Sequence, residues 1–253
     1  MSKDLIHNKT STQDSVSKKL DLSAINQKSL AGALSKAELP RLFYQLVIFI
    51  LDASQSMTWE GLTGLPKGEE LSAQLPQIID RLQKSKNKNC FDISMIAFSQ
   101  DTNTFMPPTN VTKLELDKFD FNPCNKVGNY KTFMEESLLG SESMINQYFS
   151  NHKDHSQALI LILTDGDIND YVNCMSITNR LKQNNRITIS SCLFEDKNWN
   201  AILDNDSLDR IKKNVMNLAS LSVSGESYFV SKIDPEEIRK HMLKSISTVS
   251  KID

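Results

Sequence analysis

From residue 43 onward the chain alternates between short unbroken apolar runs and longer stretches in which apolar residues recur every three or four positions. The unbroken runs are FYQLVIFIL (43–51), FDISMIAF (91–98), ALILIL (158–163) and RITISSCLF (186–194), with a shorter SYFVS (227–231). Such runs fit strands, and ALILIL, apolar at every position, fits a central parallel strand covered on both faces. After the second run, NTFMPPTNV is extended and fits an antiparallel hairpin partner. Helical stripes lie between the strands: Leu71, Leu75, Ile78, Ile79 and Leu82; Leu208, Ile211, Val215, Leu218 and Leu221; Ile238, Met242, Leu243 and Ile246. Residues 133–149 and 170–184 read as two more helices. Pro76 falls inside the first stripe, so that helix is expected to start near it or to kink there. Strands alternating with helices make βαβ units. The expected fold is a doubly wound α/β domain: a mostly parallel central sheet with one antiparallel edge strand and helices on both faces.

Residues 1–40 differ from the rest, being rich in Ser, Lys and Gln, and the first aromatic residue is Phe43. A flexible extension is expected there, with a short helix over 22–38 that ends before Pro40, followed by one domain over 41–253. Composition narrows the function without naming it. With 29 Lys+Arg against 31 Asp+Glu, no net field advertises a nucleic-acid or membrane partner. The longest apolar runs are strand length, short of the ~20 residues that a membrane helix needs. The N-terminus lacks the apolar core of a secretory signal. Cys90, Cys124, Cys174 and Cys192 stand far apart without metal-ligand spacing, as expected of reduced thiols in a cytoplasmic protein.

In open parallel sheets the site lies at the carboxyl ends of the strands, where the strand order reverses. Two strand ends here run straight into an acid: Asp52 after FYQLVIFIL, and Asp165 after ALILILT. If these strands are neighbours, both carboxylates enter one crevice. Like charges held that close call for a cation. Ser54 and Ser56 follow Asp52 at alternate positions and add hydroxyls on the same side. An oxygen-only set with two negative charges suits a small hard ion such as Mg2+, with Mn2+ or Ca2+ as substitutes.

The pattern Asp-x-Ser-x-Ser, as DASQS, with Thr-Asp-Gly after a later strand, as LTDG, resembles the von Willebrand factor A (VWA) domain and its metal-ion-dependent adhesion site. FDISMIAFSQDTNTFMPPTNV resembles the family's second strand and edge hairpin, and LASLSVSGESYFVSKIDPEEIRKHMLKSI its closing helix–strand–helix. The likeness covers roughly residues 41–250, and the short form is most similar to bacterial TerY-like VWA proteins of stress or defence gene clusters. The resemblance implies a non-enzymatic module that holds an acidic residue of a partner protein on its metal. It also implies that Ser54 and Ser56 bind the ion directly, that Asp52 acts mostly through water, and that Asp165 completes the carboxylate pair. A threonine is implied from the loop before the third helix. That loop reads Gly128-Asn129-Tyr130-Lys131-Thr132, and Thr132 is the only threonine between Thr112 and Thr164. The usual tight glycine pair is missing there. Beyond Met57 the chain adds TWEGLTGLPKGEE before the next apolar stripe, which puts Trp59, Leu62 and Leu65 near the site, with Trp59 either an interface anchor or folded back over the helix as local core. Trp59, Glu60, Tyr130 and Asp167 are the expected partner-binding rim, and a kinase or phosphatase encoded nearby is an expected partner.

Plainer readings compete with each of these. DASQS alone fits a helix cap. An aspartate after the first strand also fits phosphotransferases that form an aspartyl-phosphate, but those need a second aspartate two residues on, where this chain has Ser54. A metal-free scaffold is the third alternative. His152 and His155, with Asp154 between them, fit a solvated loop better than a zinc site, and Asp167 and Asp170 fit either caps of the helix after Asp165 or groups that support the metal ligands from behind.

Overall fold

The computed structural model describes residues 43–152 and 155–250. The expected extension over 1–40 and its helix over 22–38 lie outside the described residues.

Strand β1 (Tyr44–Asp52) is central because its residues are apolar on both faces and buried from Gln45 onward. It is flanked by β2 (Phe91–Phe98) and β4 (Ser156–Thr164), both parallel to it. Beyond them stand β3 (Thr102–Asn110), antiparallel to β2, and β5 (Ile187–Phe194) with β6 (Phe229–Lys232). The order is β3-β2-β1-β4-β5-β6. The hairpin partner β3 is an edge strand, which tolerates Pro107 and Pro108 because a proline offers no N–H to a further neighbour.

Alternate residues of β1 build two cores. Leu46, Ile48 and Ile50 pack with α2 (Glu135–His152), α3 (Tyr171–Leu181) and α5 (Asn205–Leu218), while Val47, Phe49 and Leu51 pack with α1 (Lys67–Gln83) and α6 (Pro235–Val249). The expected stripes supply the helix side: Leu71, Leu75, Ile78, Ile79 and Leu82 of α1, and Ile238, Met242 and Ile246 of α6. Local chemistry sets the helix starts. Asp204 accepts the Ser207 N–H at 2.7 Å before α5, and Asp234 accepts the Glu236 N–H at 2.8 Å before α6, where Pro235 occupies the first turn. Among the described residues no helix is long and apolar enough to cross a membrane.

Three local expectations change. Helix α1 does not start near Pro76; it begins at Lys67 and runs through Pro76 to Gln83. Both Pro76 and Ser72, whose carbonyl loses its helical donor, are partly exposed, so water can replace the missing bond. His152 is not in a solvated loop: it ends α2 and stacks on Tyr44, with ring centroids 4.0 Å apart. A short helix, α4 (Trp199–Ile202), follows β5 where no stripe announced one.

Phe49 is fully buried at the centre of the sheet. Phe49→Ala is expected to cost about 3–5 kcal/mol, read as a lower urea midpoint at unchanged slope. A loss below about 1 kcal/mol would contradict the two-core packing.

Candidate metal centre

The sheet order reverses between β1 and β4, which makes their carboxyl ends the switch point. Leu51 pairs with Leu163, so Asp52 and Thr164 stand side by side at the two strand ends. The register turns two distant motifs into one crevice. Thr164 donates its hydroxyl to Asp52 Oδ2 at 2.6 Å, and Asp52 Oδ1 accepts the Ser54 N–H at 2.7 Å. The turn at Gln55–Thr58 then brings Ser56 back across the gap, where its hydroxyl donates to Asp165 Oδ1 at 2.6 Å. Ser54 and Ser56 share a hydroxyl contact of 3.1 Å. A hydroxyl has one proton, and that of Ser56 goes to Asp165, so Ser54 is the donor in this pair. The Ser54 proton thus points at Ser56 and the Ser56 proton at Asp165, a chain of hydroxyls that ends on a carboxylate.

The loop carrying Thr132 is tied to both halves of the crevice. Gln55 donates its N–H to the Tyr130 carbonyl at 3.0 Å. On the other side Thr132 exchanges two 2.9 Å bonds with Asn169, its N–H to the side-chain oxygen and its carbonyl from the Asn169 N–H. Buried Ser99, just after β2, gathers the loop: its hydroxyl accepts the Tyr130 N–H at 2.8 Å and donates to the Lys131 carbonyl at 3.0 Å, and its carbonyl accepts the Phe133 N–H at 3.0 Å. These bonds stand where the family's glycine pair is missing. Thr132 itself is buried. Asp170 does not cap its own helix α3; its carboxylate takes the Met134 and Glu135 N–H groups at 3.1 and 2.8 Å and so caps α2.

Of the expected rim residues, Trp59, Glu60 and Tyr130 are exposed and Asp167 is half-buried. Trp59, Leu62 and Leu65 are each about half exposed, and Tyr130 more so. Glu60 and Asp167 are ion-paired, with Lys197 at 2.6 Å and with Arg210 at 2.5 Å. Asp167 caps nothing.

Electrostatically the crevice is strained by like charges. Burial pushes the Asp52 carboxyl up to about 7, and the neighbouring Asp165 charge adds to that push. Burial also raises Asp165, against the opposing pull of Lys67 and Ser56. The half-buried Cys124 thiol is pushed up to about 12, first by burial and then by the charges of Asp52 and Asp165, so it stays a neutral thiol.

Sequence reading overlooked one member of this site. Lys67, fully buried at the first position of α1, pairs its ammonium with Asp165 Oδ2 and, at 3.0 Å, with Asp196 Oδ2 just beyond β5. The only hint was the Pro66-Lys67-Gly68 triplet ahead of an apolar stripe. Among the described residues no group of three or more His, Cys, Asp or Glu is placed to hold a metal. The donor set is instead two carboxylates with hydroxyls, all oxygen, which fits a hard divalent ion.

Residues 47–232 match the model of the von Willebrand factor type A domain. No curated protein sequence matches the chain. Among solved structures, the pilus adhesin SpaC from Lactobacillus rhamnosus GG is similar with a TM-score of 0.63 at 9% identity, covering 83% of this chain and 31% of the adhesin. BatB from Bacteroides thetaiotaomicron has a TM-score of 0.53 at 15% identity, covering 83% of this chain and 100% of BatB. Proximal thread matrix protein 1 from the mussel byssus, solved with a zinc-occupied MIDAS motif, has a TM-score of 0.52 at 13% identity, covering 82% of this chain and 48% of that one. The chain therefore spans less than half of the adhesin and of the mussel protein, and at these identities the likeness is one of fold. The family match spans most of the chain, and the sheet order agrees with it: the chain belongs to the von Willebrand factor type A domain family.

Proposed function

We propose that the protein is a non-enzymatic, Mg2+-dependent protein-interaction module. Its metal residues are Asp52, Ser54, Ser56, Thr132 and Asp165. The observation that carries this reading is the Ser56–Asp165 hydrogen bond, which joins the two motifs across 109 positions into one oxygen-lined crevice. When bound, the ion supplies a Lewis-acidic position for a carboxylate of a partner protein. Asp52 and Asp165 balance its charge, Ser54 and Ser56 turn lone pairs towards it, and Thr132 enters from a loop clamped to both halves. Trp59, Glu60, Tyr130 and Asp167 form the surrounding rim. Trp59 and Tyr130 offer the exposed aromatic surface that anchors interfaces. Because Glu60 and Asp167 are neutralised by Lys197 and Arg210, they do little to repel an acidic partner.

The aspartyl-phosphate alternative is disfavoured by the same geometry. Asp52 is fully buried with both oxygens engaged, and an attacking nucleophile must be free to reach its target. A cytoplasmic role in a bacterial stress or defence system, beside a kinase or phosphatase encoded nearby, is the setting that the TerY-like resemblance proposes for this module.

Two outcomes test the reading. In a lysate pull-down, partners are expected with wild type in Mg2+ and lost in EDTA or with Ser54→Ala; the same partners in all four samples would sink the adhesion mechanism. The second is a pH dependence. Below about pH 4 Asp52 holds its proton in both folded and unfolded chains. Between about 4 and 7 only the folded chain keeps it, so the raised carboxyl adds stability that is lost as pH rises through 7. In EDTA the melting temperature is expected to fall by several degrees from about pH 5 to about pH 8, with Mg2+ restoring it at the higher pH. Asp52→Asn should flatten both responses, and an unchanged slope in that variant would count against the assignment.

A further inference from the structure

Lys67 sits where a cation is usually unwelcome. It is the first residue of α1, at the positive end of the helix dipole, and its side chain is fully buried. Such a placement persists only if nearby carboxylates need the charge. Two flank it: Asp165 Oδ2 on one side and Asp196 Oδ2, at 3.0 Å, on the other. The backbone is shaped to deliver it. Its N–H donates to the Trp59 carbonyl at 2.9 Å, closing the inserted loop, and a bridge between Glu60 and Pro66 holds that loop together. Gly68 follows in a tight space: a Cβ there would lie 2.7 Å from Cys124 Sγ and 3.0 Å from Asn122 Oδ1, so a larger residue would require those side chains or the helix start to shift.

The charges in the crevice count as follows. Asp52, Asp165 and Asp196 are three carboxylates against one ammonium. Asp165 is the shared member: Ser56 holds its Oδ1 and Lys67 its Oδ2. Asp196 is held independently by the Asn198 N–H at 2.8 Å, which leaves it a fixed second seat for the ammonium.

We propose that Lys67 is a tethered cation that holds Asp165 in the ion-free protein and is handed to Asp196 when a divalent ion enters, so that the ion's affinity is set by competition with the ammonium. This rests on the metal reading above. The inserted loop is then part of the control. The Trp59 ring lies over Lys67, 5.9 Å from Nζ to the ring centroid, on the exposed rim where a partner would dock. A partner pressing on Trp59 acts on the ammonium beneath it, which couples partner docking to the ion.

Mn2+ titration followed by calorimetry tests this on wild type, Lys67→Met, Asp196→Asn and the double variant, each checked by circular dichroism. Lys67→Met is expected to bind Mn2+ at least about tenfold more tightly than wild type, because a like charge next to the ion is gone. Asp196→Asn should weaken binding, because the ammonium loses its second seat, and this loss should shrink once Lys67 is also replaced. If Lys67→Met strips too much charge to fold, the Asp196→Asn arm decides alone. Equal or weaker binding by folded Lys67→Met, or unchanged or tighter binding by Asp196→Asn, overturns the proposal while leaving the metal reading intact. If no variant binds the ion, the metal reading falls and takes this one with it. A second readout follows the ammonium itself. In a Trp199→Phe background, Mg2+ should change the Trp59 fluorescence when Lys67 is present and not when it is Met; no change with Lys67 present overturns the hand-over.

Discussion

Parallel pairing of β1 with β4 at one register is the constraint on which the rest of the molecule depends. With Leu51 opposite Leu163, Asp52 falls beside Thr164, and Asp165 emerges one residue further along. A slip of one residue would turn every β1 side chain to the other face and separate the two motifs. The register is protected because both faces of β1 are buried in different cores, so the packing that stabilises the sheet also fixes the distance between the carboxylates. Function here costs stability. Two buried acids at the ends of neighbouring strands repel each other, and the fold tolerates them through hydroxyls, N–H groups and one lysine.

The crevice is built in layers from distant parts of the chain. Ser54 and Ser56 come from the turn after β1, Thr132 from the loop before α2, and Asp165 from the end of β4. Behind them Ser99, Asn169 and Asp170 hold the Thr132 loop at three points. Lys67 adds a buried positive charge. A loop tied to both halves and an ammonium bonded to two carboxylates link these parts to one another.

Much of this was legible in the sequence, for identifiable reasons. The strands that carry the site are buried on both faces and read as unbroken apolar runs, and Asp52 and Asp165 stand out because acids rarely end such runs. The helical stripes named the residues of α1 and α6 that reach the core. Other features depend on partners far along the chain. Nothing local says that Lys67 meets a carboxylate 98 positions later, since a lysine near a helix start usually lies in solvent. The Ser99 hydroxyl bonds to backbone groups of the Thr132 loop, and such partners leave no trace in side-chain pattern. A proline within a helical stripe does not say where the helix begins, because Pro76 lies on the partly exposed side of α1, and His152 stacks on Tyr44, a neighbour that lies far along the chain.

The most direct test of the account is where a divalent ion sits. Crystals of the protein grown with Mn2+ and measured at the manganese absorption edge give the ion's position without assumption. The account predicts one anomalous peak at roughly 2.2 Å from the Ser54 and Ser56 hydroxyls, with Asp52 and Asp165 behind them. Crystals with no peak in this crevice, or with one at the Asp165–Asp196 pair while Ser54 and Ser56 stay bonded to each other, would contradict it.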